Sequence, residues 1–181
     1  QFHTTELEQK IYVSAREIRK QVSVEIKSSA EWRAGVIYGS YNRYPISYQA
    51  VDIAVFNDDE SQILLARKPG EDKYRFIGGF VDPKDISLEQ AACREFREEA
   101  GAEVSITSYI GSFRINDWRY RSERDKIMTV LYKAKYTSGH LVPSDDIESL
   151  RWFDIKELEN ISKNIIEEHQ PLMAILLTNK K

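Results

Sequence analysis

The chain is poor in the residues that build covalent or metal frameworks. Its single cysteine, Cys93, cannot form an internal disulfide. Its three histidines, His3, His140 and His169, share no zinc-like spacing, so each reads as a structural or solvent-facing residue. A lone cysteine suits a reducing compartment. No apolar run approaches the roughly 20 residues of a membrane span. The opening stretch QFHTTELEQK is polar and has no apolar signal core. The expectation is a cytoplasmic protein with no membrane partner. Charge of one sign is missing too: 26 basic and 29 acidic residues leave a net charge of -3. That gives no basic field to hold nucleic acid, which is not an expected partner. Internal repeats and low-complexity linkers are also absent.

What is present is a globular composition. Of 181 residues, 41% are hydrophobic and 11% aromatic, enough to bury one core. Residues 5 to 20 read as an amphipathic helix, with Thr5 and Glu8 as a capping box and Leu7, Ile11, Ala15 and Ile18 at helical spacing. QVSVEIKSSAEW is open between helix and strand. RAGVIYGSYNRYPISYQ, with its tyrosines, two glycines and a proline, reads as strand and loop. QAVDIAVF and QILLARK read as strands around the polar turn 57–61. PGEDKYRF reads as a loop leading to the glycine pair at 78 and 79. Residues 87–100 read as a helix with Ser87 as N-cap and Gly101 at its end. Strands are expected at 103–115, 126–136 and in SLRWFDI. A helical tail follows, with Pro171 near a helix start.

The chemistry concentrates in Arg94-Glu95-Phe96-Arg97-Glu98-Glu99. Spacings of three and four residues put Glu95, Glu98 and Glu99 on one side of a helix, with Arg94 four residues before Glu98. Ala92, Phe96 and Ala100 form an adjacent apolar strip that can dock on a sheet while the carboxylates face outward. By itself this pattern is most simply a solvated acidic face. Carboxylates fixed on a rigid element are also what Mg²⁺ or Mn²⁺ needs. A glycine pair just upstream can turn the chain sharply and bring a backbone carbonyl to the same ion. Such ions commonly serve phosphate chemistry.

The run resembles the Nudix box, G-x5-E-x7-R-E-U-x-E-E-x-G-U, with U a bulky apolar residue. Here Gly79 is followed by five residues, Asp85, eight residues and the matching core from Arg94 to Gly101. Three departures stand out: Asp85 replaces the glutamate, one residue is inserted before Arg94, and Ala102 takes the last apolar place. They bear on the loop geometry and on the salt bridge the glutamate would make. VDIAVFNDDESQILLARK, YRFIGGF (Ile77 in place of a proline) and DIESLRWFDIKEL are similar to the segments around the box, so the likeness covers residues 48 to 160.

The resemblance implies an α/β/α sandwich with a mixed β-sheet over 48–181, preceded by an amino-terminal extension, 1–47, of helix and strand or loop. It implies Mg²⁺-dependent hydrolysis, with Mn²⁺ a possible substitute. Glu95, Glu98, Glu99 and the Gly79 carbonyl would ligate metal, and Arg94 would orient the glutamates. Glu98 would be the base, with Asp146 as rival and Asp145, Glu148 and Glu123 as further candidates. Arg67, Lys68 and Arg75 could meet phosphates, against the alternative of ordinary strand-edge charge. In the loop 116–125, Trp118 and Arg119 could meet a base and Asp117 sugar hydroxyls, against the alternative of an exposed hairpin tip. The extension corresponds in position to a segment that many ADP-ribose and nucleotide-sugar hydrolases use to dimerise. Hence the expectation is a homodimer acting on ADP-ribose or a nucleoside diphosphate sugar. Nucleoside triphosphates, dinucleoside polyphosphates or RNA caps are the alternative substrates. A non-catalytic ligand sensor in transcription regulation is the alternative class.

Overall fold

The structure is a computed structural model, and it describes residues 30–178. The helix expected over 5–20 lies outside those residues, as does most of the open stretch that follows it. The chain falls into two compact units, one ending at Tyr44 and the other beginning at Pro45.

In the first unit the expectation of strand and loop is overturned. Ala30–Asn42 is an α-helix, α1, and none of its residues is buried. Gly35 and Gly39 each disfavour a helix by about 1 kcal/mol relative to alanine, and the proline that suggested a break, Pro45, lies beyond the helix end. With no strand partner among the described residues, an α-helix is the conformation that satisfies its backbone locally. The side-chain pattern carries no helical stripe, which is why it gave no signal.

The second unit follows the expected order closely. Its strands are β1 (Ser47–Phe56), β2 (Gln62–Arg67), β3 (Ile77–Phe80), β4 (Ala102–Ile115), β5 (Lys126–Gly139) and β6 (Ser149–Asp154). The helices are α2 (Leu88–Ala100), α3 (Leu158–Ile161) and α4 (Gln170–Thr178), with short 3₁₀ turns at Ile155–Glu157, Ser162–Asn164 and Glu167–His169. The sheet runs β4-β5-β1-β2-β6, with β3 also on β1. The β1–β5 pairing is parallel and the others are antiparallel, so the sheet is mixed.

Strand β1 reads as a nearly unbroken apolar run because both of its faces are covered. Val51, Ile53 and Val55 join Leu64 and Ala66 of β2 against Ala92, Phe96 and Ala100 of α2. The alternate residues Ala50, Ala54 and Phe56 join Ile63 and Leu65 against Leu158, Ile161, Leu172 and Met173 of the carboxy-terminal helices. The result is the expected α/β/α sandwich. Asp52, on the second face, is the one charged residue in this strand, and it is buried.

Two local features set the position of α2. The Ser87 hydroxyl accepts the Gln90 N–H (3.1 Å), and Gly101, at φ 67°, closes the helix by donating to the Arg97 carbonyl. These caps are the ones the sequence specifies. The glycine pair behaves differently from expectation. It lies within β3, not in a sharp turn, with Gly78 opposite Asp52 and Gly79 opposite Val51. What glycine provides is close approach. A Cβ on Gly78 (φ 154°) would fall 2.0 Å from the Val51 carbonyl oxygen, and one on Gly79 would fall 2.5 Å from Glu95 Oε2.

Candidate active site

The carboxylates of α2 divide into three environments. Phe96, fully buried, fixes the helix rotation, and this turns Glu99 inward. The expected picture of three outward carboxylates is corrected here: Glu99 is 5% exposed, the Glu95 side chain 13% and the Glu98 side chain 53%. The cause is the helix period. Glu99 sits three residues past Phe96, on the edge of the apolar stripe, whereas Glu98 points away from it.

Burial is the main reason the Glu99 carboxyl is pushed up to about 8, although the Gly78 N–H donates to its Oε2 (3.2 Å) and opposes the shift. Burial also raises Glu95, against the pull of Arg94. Arg94 is the hub. Its Nε and Nη2 donate to Asp85 (3.0 and 2.8 Å), its Nη1 to both Glu95 and Glu98 (2.8 Å each), and its Nη2 also to the Phe80 carbonyl (3.1 Å). Asp85 therefore makes the salt bridge that its replacement of glutamate had put in question. That bridge holds its carboxyl below the usual range and the guanidinium firmly charged.

The end of α2 carries a second acidic group to the same place. Ser144 N–H donates to the Glu99 carbonyl and Val142 N–H to that of Ala100 (2.9 Å each), satisfying helix-end acceptors. The loop so pinned delivers Asp145, held at φ 54°, and Asp146, which forms an ion pair with Lys68.

These groups line one cavity of about 250 Å³. Glu95, Glu99, Gly79, Asp145 and Asp146 form its acidic wall; Lys68, Arg75 and Arg119 supply positive charge to the same lining, Lys68 in contact with Asp146 and Arg75 with Glu71. A second cavity of about 270 Å³ shares Lys68, Arg75, Ile115, Asp117, Arg119 and His169 with the first and adds Glu71, Trp118, Ile166 and Glu168. The two are lobes of one cleft. Arg119 spans it, held by Asp117 (2.9 and 2.8 Å) and lying 5.7 Å over the Phe80 ring.

Of the residues singled out in the sequence, Gly79, Glu95, Glu99, Asp145, Asp146, Lys68, Arg75, Asp117 and Arg119 therefore meet at the cleft. Trp118 lines only the second lobe and is 73% exposed. Glu98 lies outside the lining, in the grip of Arg94. Arg67 lines neither lobe and pairs with Glu148 (3.4 Å). Sequence reasoning missed His169 and Asp52, which both line the first lobe. His169 lies 93 residues from the backbone it bonds to, a separation at which no local pattern operates.

Divalent-ion chemistry fits the donor set. Hard oxygen donors line the same cavity, and a Cβ on Gly79 would fill the space beside Glu95. Among the described residues, no three His, Cys, Asp or Glu side chains already stand where they could hold a metal ion. Arg94 occupies Glu95 and Glu98 instead, so holding an ion requires those side chains to move.

Comparison with known proteins agrees with the geometry. The profile of the NUDIX domain matches residues 47–174. The chain is 35% identical over 120 residues to the NAD-capped RNA hydrolase NudC of Pseudomonas aeruginosa (strain LESB58), covering 65% of this chain and 40% of that protein. It is 27% identical over 124 residues to the ADP-ribose pyrophosphatase of Methanocaldococcus jannaschii, covering 67% and 70%. This chain spans about two fifths of the length of the NudC relatives it matches. Among solved structures, the MutT protein of Methanosarcina mazei Go1 superposes with a TM-score of 0.62 at 17% identity (77% of this chain, all of that one). A UDP-X diphosphatase superposes with a TM-score of 0.58 at 19% identity (91% and 81%), and both establish likeness of fold. No helix among the described residues is long and apolar enough to cross a membrane. The chain belongs to the Nudix family, whose hydrolases act on pyrophosphate bonds.

Proposed function

We propose that this cleft hydrolyses the pyrophosphate of ADP-ribose or of a nucleoside diphosphate sugar, giving a nucleoside monophosphate and a sugar phosphate. The observation that carries the reading is the meeting of an acidic wall (Glu95, Glu99, Asp145, Asp146) with Lys68, Arg75 and Arg119 in one small cavity. A pyrophosphate presents negative charge that the basic side must bind, and the acidic side can hold it only through cations.

Nudix hydrolases generally use divalent ions such as Mg²⁺. Glu95, Glu98, Glu99 and the Gly79 carbonyl would hold Mg²⁺ here, with Mn²⁺ as substitute. Such an ion would neutralise the bridging phosphates and lower the pKa of water. The protein's own part is orientation and proton transfer. Arg94 positions Glu95 and Glu98, while Arg75 and Arg119 clamp the phosphates against one another's charge. The oxygen of water bonds to phosphorus, the bridging P–O bond breaks, and the water proton passes to a carboxylate. Glu98 and Asp146 are the two candidates for that base; Asp146 lines the cavity, whereas Glu98 is held outside the lining by Arg94 and would have to leave Arg94 to act. The second lobe, with Trp118 at its mouth, would take the nucleoside.

A dinucleotide pyrophosphate such as the NAD cap of RNA is the second reading, favoured by the Pseudomonas aeruginosa relative. Such a cap contains the same adenosine-diphosphate-ribose unit. Pairing of two chains through residues 1–47 completes the proposal and is checked by light scattering. The function is tested by a panel of ADP-ribose, nucleotide sugars, NAD, NAD-capped RNA and nucleoside triphosphates with Mg²⁺ or Mn²⁺. In ¹⁸O-labelled water the panel also reports which phosphorus is attacked. Monophosphate release from the sugar-linked diphosphates supports the reading. Turnover confined to triphosphates overturns it.

A further inference from the structure

The buried pair Asp52 and His169 has unmet hydrogen-bonding capacity facing the cleft. Asp52 interrupts the apolar run of β1, and only 7% of its side chain is exposed. A buried carboxylate needs compensating partners. One of its oxygens, Oδ2, has such a partner in the Thr129 hydroxyl of β5, which donates at 2.6 Å. The other, Oδ1, faces His169 Nε2 at 3.6 Å, beyond a hydrogen bond.

The imidazole is equally constrained. It closes the 3₁₀ turn Glu167–His169, stacks on the Phe76 ring with centroids 5.9 Å apart, and is 12% exposed. The Phe76 N–H donates to its Nδ1 at 3.1 Å, so in the neutral ring the proton sits on Nε2. Burial holds this imidazole below its ordinary pKa, which keeps that tautomer neutral. A donor, Nε2–H, and an acceptor, Oδ1, thus stand side by side. Both residues line the carboxylate lobe, and His169 also lines the Trp118 lobe, so the pair lies at their junction.

Few ligand groups match such a pair. A phosphate oxygen meets repulsion from Asp52, and an apolar group leaves two buried polar atoms unpaired. A hydroxyl fits: it donates to Oδ1 and accepts from Nε2–H, with its oxygen about 2.8 Å from each. We propose that Asp52 Oδ1 and His169 Nε2 form a subsite for a hydroxyl of the substrate's sugar, with Thr129 and the Phe76 N–H as the groups that hold them in place. The proposal rests on the reading of the cleft as a site for nucleoside diphosphate sugars. It places sugar discrimination at residues remote in sequence from the acidic helix.

The test compares ADP-ribose with its singly deoxygenated analogues. Steady-state kinetics with Mg²⁺ are paired with calorimetric titration of the same compounds, so that binding is read even without turnover. In the wild-type chain, at least one deoxy analogue should bind roughly tenfold to a hundredfold more weakly, the range for a hydrogen bond to a charged group. Asp52→Asn and His169→Leu should bring the ratio between hydroxyl and deoxy ligands close to one, raising KM more than they lower kcat. His169→Gln, which keeps an N–H donor, should retain part of the ratio. Thr129→Val should weaken it while leaving Asp52 and His169 in place, which covers the case in which Asp52→Asn fails to fold. Unchanged ratios in folded variants overturn the subsite. A uniform fall in kcat on all substrates also overturns it, since that result points to bound water or to a purely structural role. If ADP-ribose neither binds nor turns over while triphosphates do, the functional reading fails and takes the subsite with it. Turnover with unchanged ratios removes the subsite alone.

Discussion

The two walls of the cleft are built in opposite ways. The core of the acidic wall is local in sequence: Gly79, Glu95 and Glu99 come from one strand and the helix that follows it, oriented by Phe96 and two caps, and only Asp145 and Asp146 arrive from a later loop, pinned to the end of that helix. The other wall is assembled from Asp52, Lys68, Arg75, Asp117, Arg119 and His169, which the chain brings together from β1, the end of β2, two loops and the carboxy-terminal segment. The first wall carries groups suited to chemistry common to any pyrophosphate. The second carries groups suited to telling one pyrophosphate from another. Substitutions should therefore separate along this line.

The largest effects are expected on the acidic wall. Glu95→Gln and Glu99→Gln should lower turnover at least about a hundredfold on every substrate, as loss of a principal electrostatic group does. Glu98→Gln and Asp146→Asn should differ: the true base should lose about 10²–10⁴-fold in kcat, measured by single-turnover kinetics. The glycines give a sharper contrast within this wall. Gly79→Ala should displace the Glu95 carboxylate and cost activity with little change in unfolding temperature. Gly78→Ala should lower the unfolding temperature itself, because its Cβ meets backbone, at 2.0 Å from the Val51 oxygen.

Phe96→Ala comes next, with a loss of about 3–5 kcal/mol in denaturant unfolding, the range for a fully buried aromatic. Substitution of the second wall should be milder and selective. Arg119→Ala or Arg75→Ala should reduce kcat/KM by roughly tenfold to a hundredfold, the worth of a charge-assisted hydrogen bond, and chiefly through KM.

The last expectation is a pH slope, which is gradual at any one pH. Folding raises the Glu99 carboxyl from 4.5 to about 8, so between those values the folded chain holds a proton that the unfolded chain has lost. Its contribution to stability is complete below pH 4.5 and disappears as pH rises through about 8. Metal-free protein should lose thermal stability across that window, and Glu99→Gln should flatten the slope. Mg²⁺ should counter it, stabilising more as pH rises, because it binds the ionised carboxylate.

Legibility in the sequence followed the same division as the walls. The sandwich, its strands and α2 with both caps could be read because period-2 and period-3.6 patterns and turn residues are local signals. Glu99 was legible as a ligand candidate but not as a buried group, since its orientation depends on how Phe96 seats against β1. Helix α1 was misread because no residue in it is buried and no apolar stripe marks it. Strand β3 was hidden by its two glycines, which read as a turn and serve instead as places of close approach. His169 was dismissed for want of a metal-like spacing, while its actual partners, Phe76 and Asp52, lie 93 and 117 residues away. Arg67 reads as a group that could meet phosphates but turns to Glu148, a choice that β6 makes and β2 alone does not reveal.

The most direct test of the account is metal-dependent turnover of ADP-ribose by the whole chain, with Glu95→Gln beside it as control. The account predicts release of AMP and ribose phosphate with Mg²⁺, abolished by a chelator and reduced at least about a hundredfold by the substitution. Binding of ADP-ribose without hydrolysis, with no turnover of any sugar-linked or dinucleotide pyrophosphate under Mg²⁺ or Mn²⁺, would contradict it and mark the cleft as a sensor.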